Sequence, residues 1–193
     1  MNKLRYIFAA LCGLALLVSC VQQPEPRRPI EQKSGSFLNK SIEKNKALNK
    51  EEEAFIENII QMDSVNEYHR SSSGFWYYYV TKDTISTVVP EFGDRVNFQY
   101  NLADLHGNEI LSKEAIGKQI YLIDQSNQEL ISGIRDGLKF MHEGETVTFL
   151  FPSYKAYGYY GHGDYIGPNT PLQCTLTLNS IDKSKPKIDY EEN

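Results

Sequence analysis

Hydrolytic, metal or phosphate chemistry would have to come from the histidines, the serine run or the clustered glycines, and none is arranged for it. His69, His106, His142 and His162 are scattered, with no partner four residues on and no cysteine beside them, so metal-ligand spacing is missing. Ser71-Ser72-Ser73 reads as a hinge, not as a nucleophile. Gly158, Gly161, Gly163 and Gly167 are too irregular for a phosphate loop, and no helix follows them. His162, between two of these glycines, reads as a solvent-facing loop residue. What remains is apolar and aromatic, concentrated in two stretches. One is Glu129-Leu130-Ile131-Ser132-Gly133-Ile134-Arg135-Asp136-Gly137-Leu138-Lys139-Phe140-Met141-His142-Glu143-Gly144-Glu145. The other is Phe151-Pro152-Ser153-Tyr154-Lys155-Ala156-Tyr157-Gly158, followed by Ile166-Gly167-Pro168-Asn169-Thr170-Pro171-Leu172. Such residues can exclude water and present a donor or two. No acid, base, metal or nucleotide is needed for that, so no cofactor is expected.

Together with Gly93-Asp94-Arg95-Val96-Asn97-Phe98-Gln99-Tyr100, these stretches resemble the FKBP-type peptidyl-prolyl isomerases. The likeness runs from about residue 73 to 181, with the motifs in family order and at family spacing. They are Leu130-Ile131-Ser132-Gly133, the Gly137-Leu138…Met141…Gly144 turn and Pro152…Ala156-Tyr157-Gly158. The leader, the helical preamble and Gly74-Phe75-Trp76-Tyr77 look especially like the gliding-motility-associated FKBP lipoproteins of gliding bacteria.

The reaction that the resemblance implies is rotation of an X–Pro bond, which must cross about 18–20 kcal/mol of amide resonance and takes tens to hundreds of seconds unaided. The planar amide is polar and well hydrated, and its twisted form has lost much of that polarity. A dry pocket therefore favours the twisted form over the planar one. By resemblance, Tyr157, Ile131 and Tyr100 carry the activity. The Ile131 backbone N–H and the Tyr157 hydroxyl bond the substrate's carbonyls, Leu130 and Ile131 form the floor edge, and Ile166 enters from a late loop. Departures matter as well. Ile110-Leu111 stands where the family has a Phe-Asp pair, Ile134 replaces an aromatic floor, and Cys174 replaces a late-strand aromatic. Tyr121, or Ile120 with one residue of slip, replaces a further Phe. The pocket is expected to be apolar but less aromatic, giving modest catalysis and weak binding of the family's macrolide inhibitors.

These residues need a scaffold, and alternation supplies one. Residues 74–80 form a dense aromatic strand, and residues 85–89 are a second candidate. Val96, Phe98, Tyr100 and Leu102 alternate with polar residues, as do Val147, Phe149 and Phe151, and Leu172, Cys174, Leu176 and Leu178. Ile110-Leu111 and residues 120–123 are shorter pieces of the same kind. Leu130, Ile131, Ile134 and Leu138 share one face of a short helix. The expected fold class is α+β, an FKBP-like antiparallel sheet of five or six strands wrapped around one short helix. An amphipathic helix over residues 41–68 precedes it, with Leu48, Phe55, Ile59 and Met62 on one face, Asn49 and Glu52 as a capping box, and Glu51 to Glu53 in the first turn. Packing on its own domain is the default for this helix. Dimerisation or partner docking through it is the alternative.

The first residues set the compartment. Lys3 and Arg5 precede a mostly apolar run from Tyr6 to Val18, too short to span a bilayer, which needs about 20 residues. Leu17-Val18-Ser19-Cys20 follows and resembles the lipobox of bacterial lipoproteins, in which the cysteine is acylated and the preceding peptide removed. The expected organisation is a signal peptide over 1–19, lipidated Cys20 with a flexible tether over 20–40, a helical preamble over 41–72, an isomerase domain over 73–183 and a polar tail over 184–193. The location is then the cell envelope, membrane-anchored and facing the periplasm. The formal net charge is −5, and losing Lys3 and Arg5 makes it more negative, which argues against nucleic acid. With Cys12 removed and Cys20 acylated, Cys174 is left alone and no intramolecular disulfide can form. The expected partners are proline-containing polypeptide clients and the membrane. The leading function is an isomerase for exported proteins. A chaperone with an eroded pocket and a structural part of an envelope machine are the alternatives.

Overall fold

The computed structural model describes residues 34–125 and 130–183, with side chains from residue 38 onward. The signal segment 1–19, Cys20, most of the tether and the tail 184–193 lie outside the described residues. The chain divides into two units, Met1–Asn39 and Lys40–Asn193, and the second holds the sheet.

The elements run α1 (Ser34–Met62), β1 (His69–Arg70), β2 (Trp76–Thr81), β3 (Arg95–Ala103), β4 (Glu109–Leu111), α2 (Lys113–Ile116), β5 (Gln119–Leu122), α3 (Ser132–Leu138), β6 (Thr146–Phe151) and β7 (Leu172–Asp182). Two 3-10 turns, Ser153–Lys155 and Gly158–Tyr160, lie between β6 and β7. The strands form one antiparallel sheet in the order β1-β2-β6-β7-β3-β4, with β5 also on β3. The α+β class and the antiparallel sheet around a short helix are as expected, with seven strands among the described residues in place of five or six. The extra strand is β1, which pairs His69 with Tyr77 and Arg70 with Trp76. Ser71 to Gly74 accordingly form a tight hairpin turn and not a hinge, with Ser71 N–H donating to Phe75 O at 2.8 Å.

Alternation decides which side chains reach the core. Val96, Phe98, Tyr100 and Leu102 from β3, and Leu172, Cys174, Leu176 and Leu178 from β7, join one buried cluster with Ile134 and Leu138 of α3. Strand β6 is dry on both faces. Val147, Phe149 and Phe151 enter that cluster, while Leu150 turns the other way to meet Ile56 and Trp76. Helix α3 lies close on the sheet because Gly133 and Gly137, one turn apart, leave room for the rings of Phe151 and Phe149.

Three further expectations change. Residues 85–89 are not a strand: Asp83 Oδ1 accepts from the N–H groups of Ile85 and Ser86 at 2.8 and 3.2 Å, folding the chain into a turn, and Ile85 is exposed. A second helical turn, α2, is started by Ser112, whose hydroxyl accepts from Ala115 N–H. The third concerns the long helix, which spans Ser34–Met62 and not 41–68, so Asn49 and Glu51 to Glu53 lie in its interior and not at its start. Its packed stripe is also one residue out of phase with the prediction. Phe55 and Met62 are exposed, whereas Glu52 and Ile56 are buried and Ile59 and Ile60 pack beside them. The helix therefore packs on the outer face of its own sheet. Arg70 holds it there by pairing with Glu53 at 3.0 Å and Glu57 at 3.6 Å while lying over the Trp76 ring.

Candidate active site

Tyr100, Tyr121, Ile131, Ile134, Ile166 and Cys174 are buried in one apolar cluster, and Ile110, Leu111, Leu130 and Tyr157 pack against it half-buried. Every pocket residue singled out in the sequence thus belongs to the main core cluster of the domain or packs against it. Tyr100 arrives from β3 and Cys174 from β7, two strands that run side by side over Arg95 to Ala103. Ile110 and Leu111 come from the edge strand β4. Between the two residues of the β5 alternative, Tyr121 points inward at 5% exposure and Ile120 outward at 68%.

Ile131 begins α3, preceding its first helical residue in an extended conformation with φ −58° and ψ 145°. A helix start leaves N–H groups without intrahelical acceptors, and among the described residues nothing accepts the Ile131 N–H. Tyr157 sits between the two 3-10 turns. Pro152 stops β6, and the turn over Ser153–Lys155 then swings the chain across the cluster. The Tyr157 ring stacks on His162 with centroids 4.5 Å apart and 16° between planes. His162 is exposed, as expected, but it serves as a backing for that ring. The sequence had no signal for this pairing, since the two residues meet only through a loop.

Ile166 is placed by a tight hairpin in which His162 N–H donates to Ile166 O at 2.8 Å and Ile166 N–H returns to His162 O at 3.2 Å. Gly161, at φ +67°, permits this approach, because a Cβ there would collide with the Ile166 carbonyl. Asn169 N–H closes the loop by donating to Gly158 O at 2.8 Å.

The site is uncharged. Burial pushes the Tyr100 hydroxyl above its ordinary value, reinforced by nearby Tyr157 and Cys174. Burial likewise raises Tyr157, with Cys174 and Tyr165 adding to it. Burial raises the Cys174 thiol, and Lys113 opposes this only weakly. All three therefore keep their protons at neutral pH. Among the described residues the arrangement offers a dry surface, a backbone donor without an acceptor and a tyrosine hydroxyl. Among the described residues no cluster of His, Cys, Asp or Glu side chains is placed to hold a metal ion.

Comparison with known proteins finds a matching family and fold. The family model for FKBP-type peptidyl-prolyl cis-trans isomerases matches residues 87–179. A probable FKBP-type peptidyl-prolyl cis-trans isomerase FkpA of Neisseria meningitidis serogroup B is 33% identical over an alignment covering 74% of this chain and 51% of its own length. The chain thus spans about half of that relative. Among solved structures, a peptidyl-prolyl cis-trans isomerase of Pseudomonas syringae pv. tomato superposes with a TM-score of 0.56 at 24% identity, covering 72% of this chain and 96% of its own. FkpA from Escherichia coli gives a TM-score of 0.56 at 21% identity, covering 96% of this chain and 84% of its own. At these identities the two structures speak for the fold.

Proposed function

The chain belongs to the FKBP-type peptidyl-prolyl cis-trans isomerase family through residues 87–179, and from that premise we propose that it speeds the folding of exported, proline-containing envelope proteins while held to a membrane by lipidated Cys20. Proteins of a gliding machinery are candidate clients. The reaction shifts no equilibrium and needs no nucleotide fuel, which suits the envelope.

The observation that carries the reading is the pair of donors at the edge of an uncharged apolar cluster: the Ile131 N–H and the Tyr157 hydroxyl. A prolyl ring seated against Tyr100, Ile134 and Ile166 leaves water behind. The planar amide loses hydration that the twisted amide needs less, so the barrier falls. The two donors hold flanking peptide carbonyls and keep the X–Pro bond in register with the dry surface. No proton is transferred, and the protonated state of the three pocket groups is compatible with that. A protease-coupled prolyl peptide assay on residues 21–193 tests the reading. Catalysed isomerisation supports it, and a rate equal to the uncatalysed one refutes it.

One observation favours a second reading, a binding module with little turnover. Ile134, Ile110 and Cys174 are smaller than the aromatics of the family pocket, so the prolyl ring meets less surface. The two readings share a prediction about inhibitors. Leu111 and Ile110 take the places of an aspartate and a phenylalanine, so the unaltered domain should bind the family's macrolides weakly. Leu111→Asp combined with Ile110→Phe should tighten that binding at least about tenfold, the worth of one charge-assisted hydrogen bond with restored aromatic surface. A titration following tyrosine and tryptophan fluorescence measures it, and tight binding by the unaltered domain would show the pocket to be misplaced. The anchor has its own test. Cys20→Ser should move the protein from the membrane fraction to the soluble one or leave it as uncut precursor, and a mutant still acylated would refute the anchor.

A further inference from the structure

Glu52 lies in the middle of α1, on the outer face of the sheet, and is only 6% exposed. A carboxyl group in such a place is costly unless its oxygens are bonded. Both are. Ser153 N–H donates to Oε2 at 2.7 Å and the Ser153 hydroxyl donates to Oε1 at 2.8 Å. Ser153 opens the 3-10 turn that leads to Tyr157, and its N–H is one that the turn itself leaves without an acceptor. The preceding residue is Pro152, whose side chain has no oxygen to cap it. Glu52 therefore supplies, from a helix 101 residues away in sequence, the cap that the turn lacks.

The rest of the turn is held less deeply. Tyr154 shares its hydroxyl proton between Glu53 at 3.1 Å and Gly74 O at 3.0 Å, on the exposed side. Lys155 pairs with Asp136 of α3 at 2.9 Å, and Ser132 Oγ donates to Lys155 O at 3.3 Å. Among these ties only the one from Glu52 is buried. It is also the only one that fixes the backbone where the loop leaves β6. We propose that Glu52 is a positioning residue for Tyr157, so that the helix preceding the isomerase domain sets the geometry of the pocket through one carboxyl group. This rests on the reading that Tyr157 bonds the substrate.

The test compares Glu52→Ala with Ile56→Ala in the chain from residue 21 onward. Ile56 is fully buried on the same helix, clustered with Trp76, Leu105 and Leu150, so its loss weakens packing while both Glu52 bonds to Ser153 stay in place. Amide hydrogen exchange over residues 153–158 should quicken at least about tenfold in Glu52→Ala, and kcat/KM should fall roughly two- to twelvefold. Ile56→Ala should lower the thermal midpoint while leaving both quantities near the parent's. Glu52→Gln, which keeps one acceptor for the Ser153 N–H, should lie between parent and Glu52→Ala, and it takes the place of Glu52→Ala if that variant does not fold. Parent-like loop exchange in the Glu52 variants, or the same loss in Ile56→Ala, would overturn the proposal. Should the parent show no turnover, the isomerase reading fails, and the exchange measurement still decides whether Glu52 holds the loop.

Discussion

Replacing Gly133 with alanine will lift helix α3 off the sheet and lower the stability of the domain. A Cβ built there lies 2.5 Å from two ring carbons of Phe151, and one at Gly137 lies 2.7 Å from Phe149. Those rings cannot give way. They are fully buried, stacked on each other with centroids 5.3 Å apart and 9° between planes, and met edge-on by Phe75 at 5.5 and 5.7 Å. Two effects oppose each other. Alanine is the better helix former by about 0.8–1 kcal/mol. Overpacking a well-filled core costs typically about 1–3 kcal/mol, occasionally more, and with no free space on the ring side the upper part of that range applies. The steric cost wins. Each variant should lose roughly 1–2 kcal/mol net, and Gly133→Ala with Gly137→Ala together should lose more than either. A chemical denaturation midpoint measures this, and an unchanged or raised midpoint would show that α3 does not sit as described. Turnover should fall in the same variants, since Ile131 and Ile134 ride on that helix.

The second large effect is at Tyr157. Tyr157→Phe keeps the ring and its stack on His162 and removes only the hydroxyl. A neutral hydrogen bond is worth about 0.5–1.5 kcal/mol net, so turnover should fall roughly two- to twelvefold with the fold intact. Tyr157→Ala should cost more, because a wall of the dry surface goes with the hydroxyl. Neither should move the thermal midpoint much, as the residue is half-buried in a loop and packs only at the edge of the core. The peptide assay and a melting curve on the same samples check both halves.

Much of this architecture is legible in the sequence because alternation is a local property. Val96 to Leu102 and Leu172 to Leu178 announce which side chains turn inward, and each does. The pocket is legible only by likeness to a family, residue by residue, and each of those residues lies in the main core cluster or packs against it. The failures share a cause, which is that a local pattern cannot see a distant partner. Glu52 reads from the sequence as half of a capping box with Asn49, a local role, whereas it lies inside the helix and faces the sheet. Its acceptors are used by Ser153, and a stripe drawn from apolar residues alone therefore keeps Ile59 but takes in Phe55 and Met62, which are exposed. Residues 85–89 look like a strand by composition, yet among the described residues no strand pairs with them and Asp83 turns them aside. The choice between Ile120 and Tyr121 rested on a register fixed only by pairing, with Val96 opposite Tyr121 in the sheet.

Refolding of a client limited by X–Pro isomerisation tests the central claim most directly. The protein from residue 21 onward is added at about one part in a hundred of client, and the slow phase is followed, whose uncatalysed time is tens to hundreds of seconds. The rate should rise in proportion to the amount added, and Tyr157→Phe should lose about half or more of the increase at equal concentration. An unchanged rate at substoichiometric amounts, with any effect appearing only when protein and client are equimolar, would contradict catalysis and leave a binding module in its place.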